Sequence, residues 1–252
     1  MMLRLPPEGG DFAAQSSLDG ASDPGPGPWL LALHSSGDTL GVALQRLGDG
    51  APPRLAAFPL GRSLSNDLFG CVEALLPASR WPQLARLAVA TGPGGFTGTR
   101  LTVTLARTLA QQLGLPLDGF GSFLLMARRR LAQPDCPPIP FWLVQDLPRR
   151  GVVAGLYAPD LEQRGGALEL AAPRLYRESA ALAEVEASLV IGPDGEGLFP
   201  PPAVRCPAQV HQPPDVAELL RCSQEAAAAG RSAPWSLVLP LYPTSPVDPA
   251  GP

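Results

Sequence analysis

The 252-residue chain contains no lysine; all 19 of its basic residues are arginine. That absence excludes a P-loop lysine and a Schiff-base lysine together. Histidine is scarce as well. His34 and His211 stand far apart, so no H-x-x-x-H pair sets two imidazoles on one helix face around a metal. The four cysteines, Cys71, Cys136, Cys206 and Cys222, show no C-x-x-C spacing, which removes a zinc ribbon and a redox pair. No apolar run approaches the about 20 residues of a membrane-spanning helix. The N-terminus lacks a basic region followed by an apolar core, the pattern of a secretory signal. A reduced, cytoplasmic setting without a membrane partner is the expectation. A basic excess is missing too: 19 basic against 23 acidic residues leave a net charge of −4, so no global field attracts nucleic acid. The arginine-only usage, with 32 prolines and many alanines, reads as compositional bias rather than function.

What is present centres on Thr91-Gly92-Pro93-Gly94-Gly95-Phe96-Thr97-Gly98-Thr99-Arg100. Before it, 84–90 alternates well enough for a short, largely buried strand. After it, Leu101 to Leu113 has Leu101, Leu105 and Leu109 at helical spacing and Gly114 as its stop. A strand, a glycine-rich turn and a helix N-terminus gather free N–H groups and the positive dipole end at one spot. Such a turn serves either as a bare connection or as a place where a phosphate or a partner chain approaches closely. Gly98, Thr102, Ala106 and Ala110 recur every four residues and form a stripe of small side chains. The stripe fits close packing on the chain's own sheet, or on another subunit; Leu105, Leu109 and Leu113 already supply an apolar face beside it.

The run Gly92 to Arg100, then Leu115-Pro116-Leu117 and Gly121-Ser122, resembles the TsaB (YeaZ) family pattern of a G-P-G-S-F-T-G-x-R loop, a helix, a short L-P strand and a G-x-S turn. The resemblance is strongest over 84–127 and weak beyond Asp146. It implies an α/β, actin-like ATPase (ASKHA) fold of two lobes with mixed sheets and flanking helices. It also implies a non-catalytic subunit that pairs with TsaD, which transfers threonylcarbamoyl to N6 of adenosine 37 in ANN-decoding tRNAs. TsaE, a P-loop ATPase, binds the pair. ATP and metal are then expected at the partner subunits, with no cofactor required by this chain. tRNA is reached through the complex, and a homodimer is allowed when the chain is alone. The loop and its helix are expected to form the partner face, through Gly94, Gly95, Phe96, Thr97, Gly98, Thr102, Ala106 and Ala110. Any nucleotide contact would fall to Ser35, Ser36, Gly92 and Gly94.

Read in order, 1–28 is too poor in apolar residues to bury and is expected to be a disordered leader. A first lobe over 29–131 starts with strands at Trp29–His34, Thr39–Arg46 and Leu55–Leu60. Ser65 is expected to cap a helix through Leu76, with Leu68, Phe69, Val72, Leu75 and Leu76 on its apolar face. Ser122 is expected to cap another, ending in Arg128-Arg129-Arg130, which reads most simply as a solvated cap and alternatively as a contact for RNA phosphates. A smaller lobe over 132–242 carries strands at Phe141–Gln145 and Gly151–Tyr157 around a turn at Asp146–Arg150. A helix at Ser179–Ala187, a strand at Leu189–Gly192 and a loop at Asp194–Gly197 follow. Then come a helix opened by a capping box of Asp215 and Glu218, a strand at Trp235–Leu241 and a tail over 243–252.

Three departures from the family pattern stand out. His34-Ser35-Ser36 replaces its D-T-A or D-T-S, so the acidic residue that accompanies phosphate or metal in the actin-like superfamily is gone. Leu64 stands where relatives carry a histidine, and Pro240-Leu241-Tyr242 lacks the arginine of P-x-Y-x-R. A catalyst needs a positioned nucleophile, base, acid or metal. His and Cys offer no usable pair, and Asp118, Asp146 and Asp194 look isolated. No catalytic and no metal-ligating residue is expected, and the residues favour a binding or scaffold protein. The alternative is a stand-alone actin-like nucleotide-binding hydrolase or peptidase.

Overall fold

The computed structural model describes residues 26–48, 50, 52–134, 136, 139–162, 165–177, 203–206 and 214–243. Most of the expected leader, the elements expected over 179–197 and the tail from 244 lie outside the described residues.

The first sheet is built from β1 (Trp29–His34), β2 (Thr39–Arg46), β3 (Arg54–Pro59), β4 (Leu84–Ala90) and β5 (Leu117–Phe120), in the order β3-β2-β1-β4-β5. β1 to β3 form an antiparallel meander, while β4 lies parallel to both β1 and β5. β1 is therefore central and buried along its whole length, which explains a continuous apolar run rather than an alternating one. The second sheet repeats the plan. β6 (Phe141–Leu147), β7 (Gly151–Asp160) and β8 (Gly166–Tyr176) form a meander, and β9 (Ala203–Cys206) lies parallel to β6 on its free side. This doubled arrangement is the actin-like ATPase fold.

The two faces of the first sheet are packed differently, and side-chain size is the reason. Leu31, Leu33, Leu40, Val42 and Leu44 meet α1 (Leu64–Leu75) and α2 (Phe96–Leu113) in the larger core. The opposite face carries Leu30, Ala32, Ala43, Ala88 and Ala90, whose small side chains admit Val216, Leu219, Leu220 and Cys222 of α4 (Pro214–Ala228). α4 comes late in the chain yet lies on the first sheet. In exchange, α3 (Ser122–Leu131) belongs to the first half but packs Phe123, Met126 and Ala127 against Phe141, Leu143, Val153 and Tyr157 of the second sheet. The two helices cross between the sheets, so a boundary at 131/132 in sequence does not separate two self-contained cores.

The crossing corrects two expectations. The arginines at the end of α3 are not a solvated cap. Buried Arg128 sets Nε 3.3 Å from Glu218 and Nη2 2.8 Å from Glu225, and Arg129 reaches the fully buried Asp215 at 2.9 Å. The carboxylates read as a capping box serve these arginines instead. The expectation failed because the pairs lie about ninety positions apart, where local spacing says nothing.

Other differences are local. α1 starts at Leu64 after a 3-10 turn over Gly61–Ser63, so Ser65 sits inside the helix rather than at its cap. Phe69 is 54% exposed and stacks on Trp81. Leu64, Leu68, Val72 and Leu75 already fill the stripe, and a residue next to Leu68 points about 100° away from it. α2 starts five residues early, taking 96–100 into the helix, and ends at Gly114 with φ 66° as expected. Asp146 and Leu147 belong to β6, so the turn is shorter than expected. The segment at 235–241 is a 3-10 turn followed by irregular chain rather than a strand. Pro234 and Pro240 lack the N–H a ladder needs, and isolated bonds hold the segment: Leu117 N–H to the Ala233 carbonyl, and Leu241 N–H to the Thr91 carbonyl.

Arg128→Met tests the crossing. A solvated arginine at a helix end changes stability by at most about 0.5 kcal/mol. Removing the cation leaves Glu218 paired with Arg221 alone and takes the guanidinium from the partly exposed Glu225, and is expected to cost about 3 kcal/mol in urea denaturation.

Candidate functional site

The glycine-rich turn, the β1–β2 hairpin and the first turns of α2 and α3 meet at one place. The Gly95 N–H donates to the Ser36 carbonyl at 2.7 Å, and the Ser122 N–H donates to the Gly92 carbonyl at 2.7 Å. The hydroxyls of Ser36 and Ser122 share a 2.6 Å hydrogen bond, and those of Ser35 and Thr102 one of 2.8 Å. Gly94 lies flat on the hairpin: a Cβ there would run into the Ser36 carbonyl and side chain. One turn on, a Cβ at Gly98 would stand 2.6 Å from the Ser35 carbonyl. These glycines are needed for the close approach of two backbones.

The consequence is electrostatic. At its N-terminus α2 has neither a side-chain cap nor an acidic residue in its first turn. Its positive end faces the Ser36 carbonyl, the position a phosphate would otherwise favour. Ser35 and Ser36 are buried and their hydroxyls are engaged with other elements. Of the residues assigned to a nucleotide contact, Ser35, Ser36 and Gly92 are thus buried in the chain's own packing, and Gly94 alone reaches the surface. Ser122, expected as a helix cap, is the first residue of α3 and spends its hydroxyl on Ser36; Gly121 holds the cap position.

The expected partner face divides in two. Gly94, Gly95, Phe96 and Thr97 are exposed and contiguous. Gly98 is half-buried against the hairpin, and Thr102, Ala106 and Ala110 are each 0% exposed. Their stripe packs on the chain's own sheet within the larger core. That corrects the reading of the stripe as a face for another subunit: small side chains bring α2 close to β1 and β4, and Thr102, Ala106 and Ala110 present no surface for a second chain to touch.

Sequence reasoning missed the strap formed by 233–242. Arg107 lies over the Trp235 ring at 5.5 Å and donates to the Val238 carbonyl at 2.6 Å. The Tyr242 ring packs on Phe96 at 4.7 Å, so the strap supports the exposed end of α2 from behind. The Pro240-Leu241-Tyr242 signature was the available signal. Asp118, which looked isolated, is buried, holds Arg86 by a two-pronged ion pair and accepts a hydrogen bond from Ser223. Among the described residues no group of three or more His, Cys, Asp or Glu could hold a metal ion, and no helix is long and apolar enough to cross a membrane.

A family model described as "TsaD: tRNA N6-adenosine threonylcarbamoyltransferase" matches residues 43–187, more than half of the chain. A curated protein, "tRNA threonylcarbamoyladenosine biosynthesis protein TsaB" of Bacillus subtilis strain 168, is 34% identical over 155 residues, or 57% of this chain. The chain belongs to the TsaB (YeaZ) family. The match spans 59% of the length of that Bacillus relative. Among solved structures, YeaZ from Pseudomonas aeruginosa superposes with a TM-score of 0.60 at 21% identity, covering 84% of this chain and all of that one. A second structure, described by its similarity to peptidase YeaZ from Pseudomonas aeruginosa, gives 0.62 at 20% identity over 86% of this chain and 99% of that one. These two establish the shared fold.

His34 gives this TsaB-family chain a pH signature. Burial at the end of β1 lowers its pKa from 6.5 to about 4, the nearby Arg129 cation adds to the effect, and a backbone hydrogen bond opposes it. The unfolded chain therefore binds this proton from pH 6.5 downward while the folded chain stays neutral until about pH 4. The contribution to stability is complete above 6.5, declines as pH falls and is gone near 4. At about 1.4 kcal/mol per pH unit the loss is roughly 3 kcal/mol. Denaturation followed from pH 7 to 4 should show that slope, and His34→Gln should flatten it whatever its stability at neutral pH.

Proposed function

We propose that this chain is a non-catalytic partner subunit that pairs with a TsaD-type transferase in tRNA threonylcarbamoyladenosine biosynthesis. The supporting observation is the closed hairpin. The Ser35 and Ser36 hydroxyls that would meet a phosphate are spent on Thr102 and Ser122, and the Gly95 N–H that would donate to one is spent on the Ser36 carbonyl. The same closure pushes Gly94, Gly95, Phe96 and Thr97 outward as a surface propped by Tyr242. The name of the Bacillus relative supplies the pathway, and the matching family model supplies the class of partner. ATP and metal belong to the partner subunits in this reading. TsaE joins the assembled pair, and tRNA is modified by the complex.

Thr97→Glu separates surface from core. An acidic residue in the first turn of α2 suits the helix dipole, so folding should be unchanged or slightly improved. In a close interface the same carboxylate is buried without a partner, which costs several kcal/mol. That is a hundredfold or more in affinity, because each ~1.4 kcal/mol is a factor of ten. Copurification with TsaD should fail for Thr97→Glu while its melting temperature holds. Leu109→Ala, in the core, should instead lose about 2–5 kcal/mol of stability and still bind when folded. Normal TsaD binding by Thr97→Glu, or ATP or peptide turnover by the wild-type chain alone, would overturn the proposal.

A further inference from the structure

At one end of the second sheet, β6 and β7 are joined by a turn in which the Arg150 N–H donates to the Leu147 carbonyl at 2.9 Å. Pro148 holds its second position, and Arg149 holds its third with φ 66°. A turn with these features needs a left-handed residue at its third position and is ordinarily built with glycine. An arginine Cβ is crowded there, and among the described residues Arg149 is the one non-glycine with positive φ. Gly151 follows with φ 107°, and a Cβ on it would stand 2.8 Å from the Arg177 Cα. The end of β8 therefore lies directly beside the turn. Arg149, Arg150 and Arg177 are all exposed at this one end, and among the described residues of the β6–β7 turn and its flanks the carboxylate is Asp146 on β6.

A local excess of cations on a chain of net charge −4 is not a by-product of a basic composition. A glycine at 149 would make the same turn without crowding. Backbone strain of this kind concentrates where position serves function. We propose that the arginine tip formed by Arg149, Arg150 and Arg177 binds the phosphate backbone of RNA, so that this chain contacts the tRNA directly. The inference rests on the reading of the chain as a subunit of a tRNA-modifying assembly. Guanidinium groups grip phosphate oxygens in two-pronged fashion and stay charged at every working pH. Each phosphate contact releases counterions, so affinity falls as salt rises.

The test uses the full chain copurified with TsaD and a labelled anticodon stem-loop RNA, with anisotropy read from about 50 to 200 mM salt. Arg149→Gly removes one cation and relieves the turn. It should keep or raise the melting temperature while weakening RNA binding and lowering the salt slope by about 1. Adding Arg150→Gln should lower the slope by about 1 again. A double variant that assembles normally but binds the RNA with wild-type affinity and slope would overturn this inference alone. Loss of TsaD copurification with RNA binding intact would also overturn it, by assigning the tip to an acidic protein surface. Failure of the wild-type chain to assemble with TsaD would overturn the functional reading, and this inference with it.

Discussion

The crossing of α3 and α4 is the constraint on which the rest depends. Each helix leaves its own half of the sequence to cover the other half's sheet, and the contact is stitched by Arg128, Arg129, Asp215, Glu218 and Glu225 in a largely water-excluded seam. Buried pairs of this kind contribute little net stability, because desolvation offsets most of the Coulomb attraction. They are unforgiving of a wrong arrangement, since a mispaired helix would bury an uncompensated charge. The apolar contacts of Val216, Leu219 and Leu220 supply the attraction, and the charges select one geometry. Arg86, Asp118 and Ser223 repeat the device nearby, fixing α4 to β4 and β5. α3 starts beside the hairpin, so holding α3 also holds Ser122 against Ser36.

Closure of the hairpin follows from that anchoring. Here α2 directs its positive end at a backbone carbonyl, and two pairs of hydroxyls consume each other. The glycines suited to a phosphate serve the approach of one stretch of backbone to another. Gly94 to Thr97 are left exposed at the start of α2.

The elements of the first half were legible because their signals are local. Trp29–His34 and 84–90 are dense apolar runs bounded by turn residues, Gly114 marks a helix end, and the family motif fixes the loop between them. Sequence alone also ruled out lysine chemistry, because a residue type that is absent cannot act in any fold. Phe69 shows the limit of periodicity: an apolar residue beside a helical stripe reads as part of it until the stripe's true centre is known.

Which surfaces remain free was decided only in three dimensions. The stripe Gly98, Thr102, Ala106 and Ala110 has one sequence pattern whether it meets its own sheet or another chain; packing against β1 and β4 chose the former. Arg128 next to Arg129 looked solvated because their carboxylates come about ninety residues later, brought near by the helix exchange. The sequence by itself determined the local elements, the loop and the chemistry the chain lacks, since these depend on neighbours a few residues away. The tertiary structure determined partners, burial and exposure, because electrostatic and packing energies depend on distance in space and not along the chain.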